Sequence, residues 1–306
     1  MSLVFLTYAI WSSCFTIGKA TLAVSAPLFL TGTRMIVAAA ILIAYVIIFN
    51  PKSLKLNKRQ WLFIGLLGIF SIFIANALEF WGLQFLTAGK TCLIYSLTPF
   101  ISAVLSYFQF GEKITYRKWI GLLIGFTSFI PIALEEKGLA SLRNEQWSLV
   151  SMPELALVGA AIAAAYGWIL LKKLGGEEAV SPITANGFSM LFGGILALLA
   201  SGYFESWNPI PVSDSKIFLQ GVFLNILVSN ILCYNLYGFL LKKFSATFIS
   251  FAGLTTPLFA ALFGWAYLGE KIGLFFYIAI AIIGAGLFVV YMEERRLGYI
   301  KTKAIK

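Results

Sequence analysis

The sequence predicts an all-α integral membrane protein whose ten transmembrane helices form two inverted five-helix repeats. Three observations predict this fold class: an apolar composition, a duplicated segment, and an uneven distribution of Lys and Arg. The chain has 306 residues, of which 60% are hydrophobic and 12% charged, with a mean hydropathy of +0.89. A soluble domain has about half of its residues apolar and about a quarter charged, so we expect this chain to lie in a membrane.

Apolar runs along the chain have the length that a membrane crossing requires, which is about 20 residues for a hydrocarbon core of about 30 Å. We predict the first run to be a retained span, not a signal peptide, because no basic residue precedes it and Lys19 follows it. Most connections are short, so successive helices are predicted to be antiparallel neighbours. The ten predicted spans are 2–20, 28–49, 61–83, 91–110, 118–134, 154–172, 183–203, 217–241, 245–268 and 273–292.

One segment occurs twice, at a constant offset of 158 residues. Thr98-Pro99 and Gly111-Glu112-Lys113-Ile114 match Thr256-Pro257 and Gly269-Glu270-Lys271-Ile272. Two marks at one spacing indicate an internal duplication. The predicted units are a first repeat at 1–135, a connecting loop at 136–153, a second repeat at 154–292 and a basic tail at 293–306.

The basic residues predict the orientation of the chain. The even-numbered connections between spans and the C-terminal tail carry sixteen Lys and Arg, whereas the other connections carry six. Basic loops stay on the cytoplasmic side, so both termini are predicted to be cytoplasmic. Because each repeat holds five spans, the second repeat must be inverted relative to the first. Inverted repeats around an axis in the membrane plane are typical of secondary transporters.

Fainter matches extend the duplication to the earlier spans. Lys19 at the end of span 1 matches Lys172 at the end of span 6, and Pro27 before span 2 matches Pro182 before span 7. In that register Arg34 lies opposite a serine, so the halves differ at the one intramembrane cation.

The chain resembles the drug/metabolite transporter superfamily, and within it the EamA-type transporters, which carry two EamA domains. The resemblance rests on the five-plus-five spans, Trp11-Ser12-Ser13 with Lys19 in span 1, Arg34 in span 2 and the paired Pro and Gly-Glu marks. It covers nearly the whole chain. It implies alternating-access transport of small organic solutes across the cell (inner) membrane. The superfamily also contains S-adenosylmethionine carriers of obligate intracellular bacteria.

Two charged residues lie well inside predicted spans, and they are the first candidates for substrate binding. Arg34 is about 9 Å and Glu79 about 6 Å from the predicted outer face, at 1.5 Å per helical residue. An intramembrane charge is costly and is usually functional or paired. Arg34 could bind a substrate carboxylate and Glu79 a cation or an exchanged proton. The alternatives are a structural ion pair, or an Arg34 side chain that reaches outward to water.

Prolines interrupt spans 4 and 9 at equivalent positions. Pro99 frees the carbonyl of Tyr95, and Pro257 frees that of Gly253. Interrupted helices at corresponding positions of two halves point to a central site, so Tyr95 and Thr98 are predicted to line it. The alternative is a tolerated kink in which a threonine hydroxyl satisfies the backbone. We predict a cavity lined by spans 1–4 and 6–9, with spans 5 and 10 outside it.

Polar and aromatic residues of span 8 complete the predicted site. Asn230, Tyr234 and Tyr237 share one helical face that could bind a flat polar group such as a purine, or could form interhelical hydrogen bonds instead. Trp11, Trp81, Trp168 and Trp265 could stack on a ligand, although Trp and Tyr near span ends commonly mark the membrane interface. The small residues of span 6 and of span 5 indicate close helix packing.

The predicted function is secondary transport of a carboxylate-bearing metabolite, either amino-acid-like or nucleoside-containing. The alternative within the same superfamily is exchange of S-adenosylmethionine for S-adenosylhomocysteine. The remote alternatives are a drug exporter and an intramembrane enzyme. An enzyme is disfavoured because the chain has no His, one Asp and three dispersed Cys, and a channel is disfavoured because repeated charged rings are absent from the sequence. We expect no cofactor, metal or nucleic acid. The expected partners are a small-molecule substrate, the lipid bilayer, a counter-transported solute or proton, and at most a second copy of the chain.

Overall fold

The helices follow the order of the ten predicted spans. The computed structural model describes residues 2–86, 91, 94–95, 97–128, 130, 151–256, 258–259, 262 and 274–299. The helices are α1 Ser2–Leu22, α2 Pro27–Phe49, α3 Lys58–Phe85, α4 Thr98–Phe110, α5 Tyr116–Thr127, α6 Met152–Gly176, α7 Pro182–Phe204, α8 Ser215–Leu241, α9 Ala246–Ala252 and α10 Leu274–Arg296. Within the described ranges seven of them, α1–α3, α6–α8 and α10, are long and apolar enough to cross a membrane.

Polar side chains begin several of these helices where the hydrophobic run starts. Asn57 and Ser151 each start a capping box, in which the side chain three residues later returns a hydrogen bond to the backbone. The single Asp of the chain, Asp214, accepts hydrogen bonds from the first-turn N–H groups of α8. Such caps satisfy the first backbone N–H groups of a helix, so these three helices start at a polar side chain.

The first Gly-Glu mark ends α4 as the sequence predicts. Gly111 adopts a left-handed conformation with φ +64°, and the Glu112 N–H donates to the Ser106 carbonyl at 3.4 Å. This geometry satisfies the last carbonyls of a helix and favours glycine at the turn. Pro99 lies in the first turn of α4, so this helix begins at Thr98, just before the proline, instead of continuing through it. The matching marks at 257 and 269–272 lie outside the described residues.

Helices α2 and α7 pack against each other with two-fold symmetry, which shows that the halves are inverted. A Cβ added to Gly32 would lie 2.6 Å from Leu198, and one added to Gly187 would lie 3.3 Å from Ile43. At the offset of 155 residues that relates Pro27 to Pro182, each of these contacts is the image of the other. Early residues of α2 meet late residues of α7 and the reverse, so the two equivalent helices run antiparallel.

The other helix pairs follow the same symmetry. Helix α4 packs on α9 and α5 on α10, while α3 packs on α6 just as α8 packs on α1. Exchanging the halves therefore maps each of these named pairs onto itself or onto another of them. Small residues form these contacts as predicted: a Cβ on Gly121 would meet Val290 at 2.6 Å, and one on Gly167 would meet Ser71 at 2.3 Å.

Helices α3 and α8 each contain a π-helical turn that the sequence analysis did not foresee. The turns span Gly68–Ile74 and Ile226–Cys233, which are equivalent positions of the two repeats. After each turn an asparagine amide donates to the loosened carbonyls: Asn76 to Ser71 and Ile72, Asn235 to Asn230 and Ile231. Both asparagines therefore satisfy backbone carbonyls that the π-helical turns leave without their usual partners.

Candidate functional site

A cavity of about 1120 Å³, counting the open space at its mouth, lies between the two halves. Its described lining comes from α1–α4, α6, α8 and α9 and from Tyr95 just before α4. Among the described residues none of α5 or α10 lines it, in agreement with the prediction. The prediction was wrong for α7, which also contributes no described lining residue. A Cβ added to Gly193 would meet the Gly68 carbonyl oxygen at 2.6 Å, so α7 packs too closely on α3 and α2 to reach the cavity.

Arg34 lies in the cavity wall and is 3% exposed. One terminal guanidinium nitrogen donates to the Asn76 side-chain oxygen, and the guanidinium carbon lies 4.7 Å from the centre of the Phe80 ring. Its Nε is buried without a hydrogen-bond partner among the described residues. The side chain therefore points into the protein, not outward to water as one alternative held. Because its partner is a neutral amide, the positive charge remains available to an anionic ligand.

Glu79 lies in the same wall and is half-buried. The Tyr95 hydroxyl donates to its carboxylate Oε2 at 2.7 Å. No ion pair joins Glu79 to Arg34 in the described part of the chain. The structure therefore does not show the Arg34–Glu79 ion pair that was the alternative to a binding role. The cavity presents one cation and one anion, each held by a neutral neighbour.

Thr98 has both of the roles that were predicted as alternatives, lining the cavity and satisfying the interrupted backbone. Its side chain lines the cavity, and its hydroxyl donates at 2.5 Å to the Tyr95 carbonyl that Pro99 leaves without a helical partner. Tyr95 lines the cavity beside it. The threonine thus satisfies the interrupted backbone while the interruption exposes both side chains to the cavity.

Asn230 does not line the cavity, contrary to the prediction. It is fully buried, and its amide nitrogen lies 2.8 Å from the Met35 sulfur and 3.9 Å from that of Met190. The predicted polar face of span 8 is divided because the π-helical turn changes the register along α8. Tyr234 and Tyr237 reach the cavity, whereas Asn230 faces α2 and α7.

Aromatic rings form the remaining wall. Trp11 and Tyr234, both predicted, have ring centroids 5.6 Å apart, and Trp168 lies 5.7 Å from Trp11. Trp168 and Tyr237 stand almost perpendicular to Trp11, at 84° each, and 32° from one another. The sequence signal for Trp168 was ambiguous, because a Trp four residues before Lys172 equally fits the membrane interface.

Inverted five-helix halves around a central cavity with charged and aromatic walls are typical of secondary transporters. Comparison with known proteins identifies the family. The EamA-like transporter family model matches residues 1–134 and 151–292. The chain therefore belongs to the EamA-like transporter family, and the resemblance to the drug/metabolite transporter superfamily is confirmed. The family consists of transporters, in agreement with the prediction that the chain is not an enzyme.

Two relatives from Chlamydia match almost the entire chain. The S-adenosylmethionine/S-adenosylhomocysteine transporter of Chlamydia trachomatis serovar L2 is 40% identical over 98% of this chain and 91% of its own length. The protein of the same name from Chlamydia muridarum is 40% identical over 97% and 93%. A solved crystal structure has the same fold, with a TM-score of 0.76 over 96% of this chain and 97% of that one, at 20% identity.

Proposed function

We propose that this protein transports S-adenosylmethionine across the cytoplasmic membrane in exchange for S-adenosylhomocysteine, by alternating access between its inverted halves. The observation that carries the proposal is a buried cation and a half-buried anion in one cavity, with no ion pair between them in the described residues. The names of the Chlamydia relatives support this substrate over an amino acid without a nucleoside.

The amino-acid end of the substrate fits the two charges. The planar guanidinium of Arg34 suits a carboxylate, to which it can donate two parallel hydrogen bonds. Glu79 is the matching acceptor for the α-ammonium group, and the Tyr95 hydroxyl holds its carboxylate in place. Opposite charges on the ligand and the wall offset the cost of removing both from water.

Exchange follows from what the two solutes share. S-adenosylmethionine and S-adenosylhomocysteine have the same amino-acid group, ribose and adenine, and they differ only in the sulfonium methyl group. A cavity that binds the shared groups accepts both molecules. Among the described lining residues Glu79 is the only carboxylate, so none of these residues supplies a second anion for the sulfonium charge.

Counterflow in liposomes tests the substrate. Purified protein is reconstituted into vesicles loaded with unlabelled S-adenosylhomocysteine, and uptake of labelled S-adenosylmethionine is measured. We expect rapid uptake that needs the internal solute, and slow uptake into empty vesicles or into vesicles loaded with methionine. Uptake driven equally well by internal methionine would instead support the second candidate, an amino-acid-like substrate, which the Arg34 and Glu79 pair by itself also fits.

The contribution of Arg34 is tested by two substitutions. Arg34→Lys keeps the positive charge but loses the planar guanidinium that can donate two parallel hydrogen bonds, and Arg34→Ala loses both. Since hydrogen bonds to charged groups contribute about 1.5–3 kcal/mol, we expect Arg34→Ala to weaken substrate affinity about 10- to 100-fold, and Arg34→Lys to lie between it and the native protein. Lys55→Ala, at an exposed position, is the control for loss of a positive charge. Native affinity in a monodisperse Arg34→Ala protein would contradict the proposed binding mode.

A further inference from the structure

From the geometry of the aromatic wall we infer that Trp11, Trp168 and Tyr237 form a nucleobase subsite, which binds the adenine of the transported solute. This inference rests on the proposed function and deepens it, because it assigns the part of the cavity that would distinguish a nucleoside-bearing solute from a free amino acid.

The three rings form a corner of a kind that accepts a flat ring. Trp168 and Tyr237 have centroids 4.2 Å apart, and both stand at 84° to Trp11. A planar base that stacks on one side of this corner presents its edge to the other side. Both contacts are favourable for aromatic rings, which prefer stacked or edge-to-face arrangements. Trp11 is half-buried and is the most exposed of the three rings, because Trp168 is only 7% and Tyr237 only 2% exposed.

The corner is rigid before any ligand binds. The Tyr237 hydroxyl lies 3.3 Å from the Ser250 hydroxyl, and the neighbouring Tyr8 hydroxyl donates to the Ile249 carbonyl at 2.8 Å. Tyr8 also stacks on Trp11 with a centroid distance of 6.3 Å. These contacts hold Tyr237 and Tyr8 against α9, and Tyr8 in turn supports the Trp11 ring. A preformed platform lowers the entropy that is lost on binding.

The corner and Arg34 lie in the same cavity and are separated by two side chains. The Asn76 side-chain oxygen accepts from Arg34, and the Asn76 amide nitrogen donates to the Tyr234 hydroxyl at 3.4 Å. The Tyr234 ring centroid lies 5.6 Å from that of Trp11 and 5.3 Å from that of Trp168. A ligand that contacts both must be elongated, with an anionic group at one end and an aromatic ring at the other. S-adenosylmethionine and S-adenosylhomocysteine have this shape, because the ribose and the sulfur chain separate the carboxylate from the adenine.

The test separates the two ends of the ligand. The thermal unfolding midpoint of the purified full-length protein is measured with S-adenosylhomocysteine, which carries both ends, and with adenosine, which lacks the amino-acid end. A bound ligand raises this midpoint. The variants are Trp168→Leu, Trp168→Phe, which keeps an aromatic ring, and Arg34→Ala, which changes only the charged end.

We expect both ligands to raise the midpoint of the native protein and of Trp168→Phe. In Trp168→Leu the affinity for adenosine and for S-adenosylhomocysteine should fall about 5- to 150-fold, which is the range for loss of one stacking partner of a base. In Arg34→Ala only the affinity for S-adenosylhomocysteine should fall. A loss of folding alone would lower the unliganded midpoint without this selective pattern.

Two results would overturn the inference. The first is that the native protein binds S-adenosylhomocysteine but its unfolding midpoint does not change at high adenosine concentration. The second is a folded Trp168→Leu protein with native adenosine affinity. Both leave the proposed function intact. Failure of the native protein to bind S-adenosylhomocysteine would contradict the proposed function, and the adenosine measurement on the same protein decides the nucleobase subsite independently. If Trp168→Leu does not fold, Trp11→Leu tests the other side of the corner.

Discussion

At the residue scale, a buried ion pair joins the scaffold helices α5 and α10. The Lys118 ammonium lies 3.0 Å from the Glu294 carboxylate, and the two side chains are 2% and 0% exposed. The Ser245 hydroxyl at the start of α9 also donates to Glu294, and the Tyr299 ring lies 4.7 Å from the ammonium. Desolvation makes such a pair a weak source of net stability, but removing one partner leaves the other charge buried and alone.

We therefore predict that Glu294→Ala lowers the free energy of unfolding by about 3–5 kcal/mol. The matched control is Arg59→Ala, which breaks the Arg59–Glu178 pair of 2.9 Å, in which the Arg59 side chain is 62% exposed. Exposed pairs contribute about 0–1 kcal/mol. Thermal unfolding in detergent measures both variants. Equal shifts for the two would show that burial of the Lys118–Glu294 pair does not matter for stability.

At the scale of the element, two glycines of α10 lie in opposite environments. A Cβ added to Gly286 would lie 2.7 Å from the Gly121 carbonyl oxygen and 2.8 Å from the Gly125 backbone nitrogen, and backbone atoms of α5 cannot move aside singly. At Gly284, two residues earlier, an added Cβ would meet no atom within 4 Å. The first glycine allows two helices to touch, whereas the second one has no such role.

Alanine at these two positions should change stability in opposite directions. Gly286→Ala forces α5 and α10 apart and should lower the unfolding midpoint. Gly284→Ala adds helix propensity without a clash and should stabilise the protein by at most about 1 kcal/mol. Both variants are compared in one detergent at one protein concentration. A destabilised Gly284→Ala protein, or a Gly286→Ala protein of native stability, would contradict the packing described for α10.

At the scale of the whole molecule, an ion pair connects the two halves near the C-terminal ends of α4 and α6. The Lys172 ammonium, in the last turns of α6, lies 2.5 Å from the carboxylate of Glu112, which follows α4. The same ammonium lies 4.8 Å from the centre of the Phe110 ring. The charge asymmetry predicts that this end is cytoplasmic. Lys19, the counterpart of Lys172 in the first repeat, donates to the Leu86 carbonyl at 3.2 Å. Glu270, the counterpart of Glu112 in the second repeat, lies outside the described residues.

We predict that this pair stabilises the state that is closed at the end of α4. Glu112→Gln removes one charge, so the population that is open at this end should rise several-fold. A cysteine at Ser106, which is fully buried in the native protein, reports this change as faster labelling by a thiol reagent. The native cysteines are first replaced. Labelling should return toward the native rate in the charge exchange Glu112→Lys with Lys172→Glu, and an unchanged rate in Glu112→Gln would contradict the prediction.

Much of this organisation could be predicted before any coordinates. The spans follow from hydropathy, the duplication from the marks at Thr98-Pro99 and Thr256-Pro257, and the inversion from an odd number of spans in each repeat. Arg34 and Glu79 were found because a charge inside an apolar run is costly and conspicuous. The cytoplasmic placement of the termini and the repeat boundaries stay predictions.

The sequence by itself determined the helices, their antiparallel order and the two charges, because these depend on local hydrophobicity and on chain connectivity. Only the tertiary structure decided which side chains meet. It placed Asn230 against Met35, excluded α7 from the described cavity wall, and assembled an aromatic corner from Trp11, Trp168 and Tyr237. The physical reason is that two π-helical turns and close glycine contacts set the rotation and separation of the helices, and a pattern with an ideal helical period carries no information about either.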